Sequence, residues 1–193
     1  MRLFRNNLLF RQLIILSPLV YLIHHFEEHI FFNFRDWRLT YFLDNNPYTS
    51  EEMLIRLAAF MLALIFFHQI KQNRASALLI LYFVMTTQVV NAIFHVFFSF
   101  YFADFSPGAI TGVLLYLPVN YLIYKAAMNE GYIKSNTEIV ILFILGSITF
   151  ALFEAFGPAV TLISIFLYPI VYFFLKTKEA CLLYTSPSPR DIS

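Results

Sequence analysis

The sequence predicts an all-α, polytopic transmembrane helix bundle, and three observations carry that reading. Hydrophobic residues make up 60% of the chain and charged ones only 13%, with a mean hydropathy of +0.69, outside the range of soluble globular domains. Apolar runs recur at lengths suited to a hydrocarbon core of about 30 Å. The net charge is only +1, so no basic field argues for nucleic acid as a partner.

Six spans are expected, at 13–32, 54–70, 77–102, 107–128, 138–155 and 158–175. The N-terminal segment carries Arg2, Arg5 and Arg11 and resembles the basic region of a signal peptide. No small-residue cleavage site follows it, which makes the first run a retained span. The outer loop 33–53 holds Trp37, Tyr41 and Tyr48, residues suited to a membrane interface, and is expected to form a short amphipathic helix. Ser50-Glu51-Glu52 then reads as a helix start. In Ser106-Pro107-Gly108, Pro is expected at the first position of the fourth helix, and Pro118 is expected to kink that helix.

Residues 138–175 would make a single helix of about 57 Å, too long for one crossing. Phe156-Gly157-Pro158 supplies a break, which gives two antiparallel spans; a five-span bundle with one kinked pair is the alternative. Loop charges support six. With the N-terminus cytoplasmic, the inner side holds Arg2, Arg5, Arg11, Lys71, Arg74, Lys125, Lys134, Lys176 and Lys178, against Arg35, Arg38 and Arg56 outside.

Cys181 is the only cysteine, so intrachain disulfides and multi-thiolate metal sites are excluded. It opens the stretch CLLYTSPSPRD, Cys181 to Asp191, which resembles the conceptual translation of a sequencing adapter. The bland alternative is an ordinary Ser/Pro-rich tail. Residues 1–180 are therefore read as one membrane domain and 181–193 as a non-native disordered tail, with the natural chain expected to be truncated near Ala180.

The informative anomaly is polar. His24-His25-Phe26-Glu27-Glu28-His29 interrupts the first apolar run. A Glu at the centre of a span costs about 3 kcal/mol, while each Leu, Ile, Phe or Val returns about 0.3–0.6. Such a helix needs its polar face protonated, paired or bound to a metal. His24, Glu27 and Glu28 stand at i, i+3 and i+4 and share one face. His25 and His29 form a second i, i+4 pair about 100° away, still close to Glu28. Asn91 and His95, also i, i+4, lie at matching depth on the third span, so the two helices are expected to share one site. Glu154 is a further member by depth, and His68, at the inner end of the second span, is an outlier.

His24-x-x-Glu27-Glu28, followed by Asn91-x-x-x-His95, Ser106-Pro107-Gly108-x-x-Thr111 and Pro118, resembles the HXXEE family of bacterial integral membrane proteins over roughly Leu13 to Tyr121. The resemblance implies several helices and a bacterial inner-membrane location, but no known chemistry. The Glu-Glu pair also resembles in part the glutamate proteases of CAAX-processing type, but the arginine that follows their glutamates is absent, since His29-Ile30-Phe31-Phe32 stands there. Five histidines are too few for the histidine boxes of membrane desaturases.

Imidazole with carboxylate is a ligand set for Zn, Fe or Mn, with open positions when two His and one carboxylate bind. The expected metal ligands are His24, Glu28 and His95, with His25, His29 and Glu154 as further candidates; Glu27, Glu28 and Asn91 are the expected catalytic groups. The favoured function is a metal-dependent or glutamate-based hydrolase acting on an apolar, lipid-like or prenyl-like substrate in the bilayer. An ion- or proton-coupled transporter or sensor, and a purely structural polar network, stay open.

Overall fold

A computed structural model describes residues 8–185, and within them the chain is helical, with no strand. A short α1 (Phe10–Leu13) leads into α2 (Leu16–Phe26), which continues as a wide π turn over Glu27–Phe31. The following loop holds α3 (Phe34–Tyr41), and α4 (Ser50–Lys71) runs back along the bundle. The third long helix comprises α5 (Arg74–Val84), a π turn over Met85–Val90 and α6 (Asn91–Tyr101). The fourth comprises α7 (Ala109–Thr111), a π turn over Gly112–Tyr116 and α8 (Leu117–Asn129). The last two helices are α9 (Asn136–Phe156) and α10 (Ala159–Thr185).

Four of these are long and apolar enough to cross a membrane: Ser50–Lys71, Arg74–Tyr101, Ala109–Asn129 and Asn136–Phe156. The first expected span, 13–32, is not one continuous helix. Pro18 has no N–H to give the Ile14 carbonyl; Ser17 N donates to that oxygen instead, at 3.1 Å, and α2 starts only at Leu16. Leu16 to Phe31 then spans about 24 Å at 1.5 Å per residue, short of the core thickness by itself. The break expected at 156–158 is present: Gly157 takes a φ of 67°, a region glycine enters without steric cost. α10 folds back along α4 and α5, placing Tyr168 against Phe60 and Tyr172 against Phe67. It continues to Thr185, so 181–185 are helical where a disordered tail is expected, and 186–193 lie outside the described residues.

Local chemistry explains most boundaries. α4 begins in a capping box one residue before the expected Ser50: Thr49 Oγ1 accepts from Glu52 N at 3.2 Å while Thr49 N donates to Glu52 Oε2 at 2.9 Å. The fourth helix starts at Ala109, after Gly108 at φ 100°, so Pro107 precedes the helix rather than opening it. The π turn Gly112–Tyr116 lies directly before Pro118, a wider turn being one way to absorb the missing proline N–H. The π turn of the third helix contains Thr86 and Thr87, whose hydroxyls donate back to the carbonyls of Tyr82 and Phe83 at 3.0 and 2.9 Å, a bond that bends helices.

The third long helix is central: 67% of its most apolar stretch is enclosed, against 11% for Asn136–Phe156. On the first helix Leu19, Leu22, Ile23, Phe26 and Ile30 face outward, whereas Ser17, Val20, Tyr21, His24, His25, Glu27 and Glu28 are buried. Apolar residues face out and ionisable ones face in, the inverse of a soluble helix and the pattern lipid demands. Helices α6 and the 112–116 turn approach closely: a Cβ at Gly112 would lie 3.2 Å from both Cα and Cβ of Ala92, a small-residue contact of the kind that drives helix association in lipid. Gly112→Leu is expected to force these helices apart and cost about 1–3 kcal/mol, read as a lowered unfolding temperature of the detergent-solubilised protein; an unchanged temperature would show that the contact carries no packing energy.

Candidate metal centre

One turn of α2 separates His24 from Glu28, so both project to the side where α6 delivers His95. Glu28 Oε1 lies 3.3 Å from His24 Nε2 and 3.0 Å from His95 Nε2. His24 is 1% exposed and His95 fully buried. Their opposite ring nitrogens are held: His24 Nδ1 is 2.8 Å from Thr111 Oγ1 and His95 Nδ1 is 2.9 Å from Ser106 Oγ. The Ser106 position is fixed in turn, because its N–H donates to Ser99 Oγ and Ser99 Oγ donates to the His95 carbonyl.

The two Nε2 atoms are buried and have no aligned hydrogen-bond partner among the described residues. In the tautomer that donates Nδ1–H to each hydroxyl, each Nε2 turns a lone pair toward a carboxylate oxygen. Lone pairs facing one another at this distance repel unless a proton or a metal ion lies between them. Hydroxyl-held Nδ1 and free Nε2 is the arrangement that orients metal-binding histidines. Ligands about 2.0–2.1 Å from a tetrahedral ion lie about 3.3 Å apart, so the spacing suits a single ion. His24, Glu28 and His95 form one cluster able to hold a metal.

Glu27 points elsewhere. Oε1 accepts from Gly108 N and Ile110 N, both at 3.1 Å, and Oε2 from Thr111 N at 2.6 Å. The amides at the start of the fourth helix, which could otherwise cradle an anionic headgroup, are taken by this carboxylate. Gly108 sits against the imidazoles: a Cβ there would meet His24 Cε1 at 2.8 Å and His95 Nε2 at 2.9 Å. Glu27 thereby presses the loop 106–111 down as one wall of the centre.

The other side opens into a cavity of about 210 Å³ that reaches the outer loop. Asn91 and Tyr116 line it, and Asn91 Oδ1 and the Tyr116 hydroxyl are both buried without a partner among the described residues. Asn91 shares the helix of His95 but is not hydrogen-bonded to it. The Tyr116 ring lies against His24, its centroid 4.3 Å away and the rings tilted by 32°. Glu154 lines the same cavity but pairs with Arg38, whose Nε lies 3.0 Å from Oε2. His25 and His29 stand on the far side of Glu28 and with it form a second cluster. His68 is remote, packed on Phe10 and Tyr132 with Nδ1 2.8 Å from Ser76 Oγ.

Helix α3 covers the centre from outside. Phe34 meets His95 edge-on at 5.0 Å and stacks on Trp37, while the Tyr41 hydroxyl donates to Asp104 at 3.0 Å, a bond that pushes the Tyr41 phenol up. Beneath the centre, Gln88 Nε2 donates to the Ser17 carbonyl at 2.9 Å, and Asn120 Nδ2 donates to Gln88 Oε1 at 2.8 Å. Tyr116, Gln88 and Asn120 are not among the residues expected from the sequence. The latter two carry a signal there, being amides inside apolar runs; Tyr116 carries none.

Residues 15–123 match the model of a family described as "Protein of unknown function with HXXEE motif". The chain belongs to the HXXEE family. No curated protein and no solved structure matches it. In this HXXEE protein the first and last letters of the motif, His24 and Glu28, meet at the centre, and the middle glutamate, Glu27, ties the first helix to the fourth. Charge-assisted hydrogen bonds contribute about 1.5–3 kcal/mol each. Glu27→Ala is therefore expected to lower the stability of the solubilised protein by about 3 kcal/mol or more, and Glu27→Gln, which keeps one acceptor, by less. Thermal unfolding of both variants measures the difference, and equal, negligible losses would contradict the anchor.

Proposed function

We propose that this protein is a membrane-embedded, metal-dependent hydrolase acting on an apolar, lipid-like or prenyl-like substrate. The observation that carries the reading is the pair of buried imidazole Nε2 atoms, each within 3.3 Å of one Glu28 oxygen and neither hydrogen-bonded among the described residues. His24, Glu28 and His95 would hold Zn, Fe or Mn, a two-histidine, one-carboxylate set that leaves positions open for water and substrate. Such an ion lowers the pKa of water and polarises an ester or amide carbonyl.

The chain's own residues supply the rest. The substrate enters from the outer half of the bilayer along walls formed by Leu57, Phe60, Phe83 and Phe150. Asn91 and the Tyr116 hydroxyl, unpaired at the inner end, orient its polar group. Glu27, engaged by three amides, is kept out of proton transfer, which favours the metal-assisted version over a glutamate-based one. The setting we propose is the bacterial inner membrane, with six crossings and a cytoplasmic N-terminus, the first and last being the shorter first helix and α10.

The alternative is a proton- or ion-coupled transporter or sensor, favoured by one feature: the buried Ser17, Gln88 and Asn120 chain leads inward from the centre. Proton flux into liposomes that disappears in Glu28→Gln would support it.

Metal analysis of the purified protein tests the main reading. Wild type is expected to retain a divalent ion, and Glu28→Gln and His95→Ala to weaken its binding by about 10–100-fold or more. Equal, near-zero content in all three would remove the metal from the account.

A further inference from the structure

We infer that Glu28 is a bridging carboxylate and that the centre takes two divalent cations, the second held by His25 and His29. This rests on the metal-dependent reading above and extends it. The helix sets up the geometry. His24 and Glu28 stand one turn apart on one row, and His25 and His29 stand one turn apart on the adjacent row, so Glu28 borders both.

Its two oxygens divide accordingly. Oε1 faces His24 and His95 at 3.3 and 3.0 Å, whereas Oε2 faces His29 Nε2 at 3.8 Å. Ligands of one tetrahedral ion at about 2.0–2.1 Å lie about 3.3 Å apart, so a movement of about half an ångström brings this 3.8 Å pair onto a cation. The ligand atoms of His25, Glu28 and His29 all lie within 4.8 Å of one another. The two rings lie against each other, centroids 4.5 Å apart. Among the described residues neither ring makes a hydrogen bond, although His25 is buried and His29 half-buried. Helical spacing brings the two imidazoles together, and it sets their nitrogens beside the Glu28 carboxylate.

His24, His25, Glu28 and His29 line the same cavity. A second ion would sit on the outer side of the first, toward the loop that carries Thr49 and Ser50. Paired ions about 3.5–4 Å apart hold the attacking and leaving oxygens of a hydrolysis together, so the open positions of both would face one substrate group.

The test is stoichiometry on the full chain in detergent, stripped with chelator and titrated with Mn²⁺. Mass spectrometry gives the ion count and electron paramagnetic resonance gives the coupling between ions. Wild type is expected to bind about two equivalents per chain with a signal attenuated by exchange through Glu28. His29→Gln, and the double variant His25→Ala with His29→Ala, are expected to bind about one equivalent with a full, uncoupled signal. One equivalent in wild type, unchanged in both variants, overturns the bridge and leaves the single-ion centre standing. No binding in wild type overturns both. Circular dichroism on each variant separates loss of an ion from loss of the fold, and His29→Gln, at the half-buried ligand, supplies the variant least able to disturb packing.

Discussion

Two neighbouring carboxylates buried in an apolar bundle set the terms for everything around them. Removing an ionised carboxylate from water costs several kcal/mol even after relaxation, and the chain meets that cost differently at each. Glu27 is answered by three backbone amides, which together offset about 5–9 kcal/mol at 1.5–3 kcal/mol apiece. Glu28 has no such amides. It is met by two imidazole Nε2 atoms at 3.3 and 3.0 Å, so its burial makes sense only with a proton or metal between them. One glutamate completes the fold, and the other leaves it dependent on a positive charge.

The backbone is irregular where these demands fall. Each of the three helices that surround the centre carries a π turn, over Glu27–Phe31, Met85–Val90 and Gly112–Tyr116. A π turn adds a residue to the circumference and rotates the helix beyond it, and such turns concentrate at functional sites. Here they carry Glu27, Glu28 and His29 on the first helix, precede Asn91 and His95 on the third, and end on Tyr116 in the fourth. Pro118 and the back-bonding Thr86 and Thr87 account for two of them; nothing in the neighbouring side chains explains the first.

This division also marks what the sequence could and could not reveal. The meeting of His24, Glu28 and His95 was legible, because helical phase and membrane depth are both read from spacing. The break at Gly157-Pro158 and the helix in the outer loop were legible for the same local reasons. The role of Glu27 was not. Its spacing from His24 suggested a shared site, but its partners are backbone amides of a loop some eighty positions later, and amides leave no trace in residue type. Gly108 likewise reads as turn chemistry, whereas its contact with two imidazoles exists only once loop 106–111 is pressed onto the first helix. The shortened first helix was available in principle: Pro18 stands where it withdraws a hydrogen bond from Ile14, and a window average of hydropathy passes over a single proline.

The order of the motif is a consequence of geometry. Successive residues on a helix point about 100° apart, so adjacent glutamates cannot serve the same neighbour. With His24 setting the row, the residue four positions on must be the one that meets His95 on the third helix, and the residue three positions on is turned toward the start of the fourth. Fixing Glu27 to the amides at 108–111 also fixes Thr111 and Gly108, and Thr111 in turn holds His24 Nδ1. The anchor therefore helps position an imidazole it never touches. Exchanging the functions of the two glutamates would require rotating the first helix by a quarter turn or more, which would carry Leu22 or Phe26 into the core and bring the histidines to lipid. The motif is thus a statement about three helices at once: an imidazole, an anchor to one neighbour and a carboxylate facing the other.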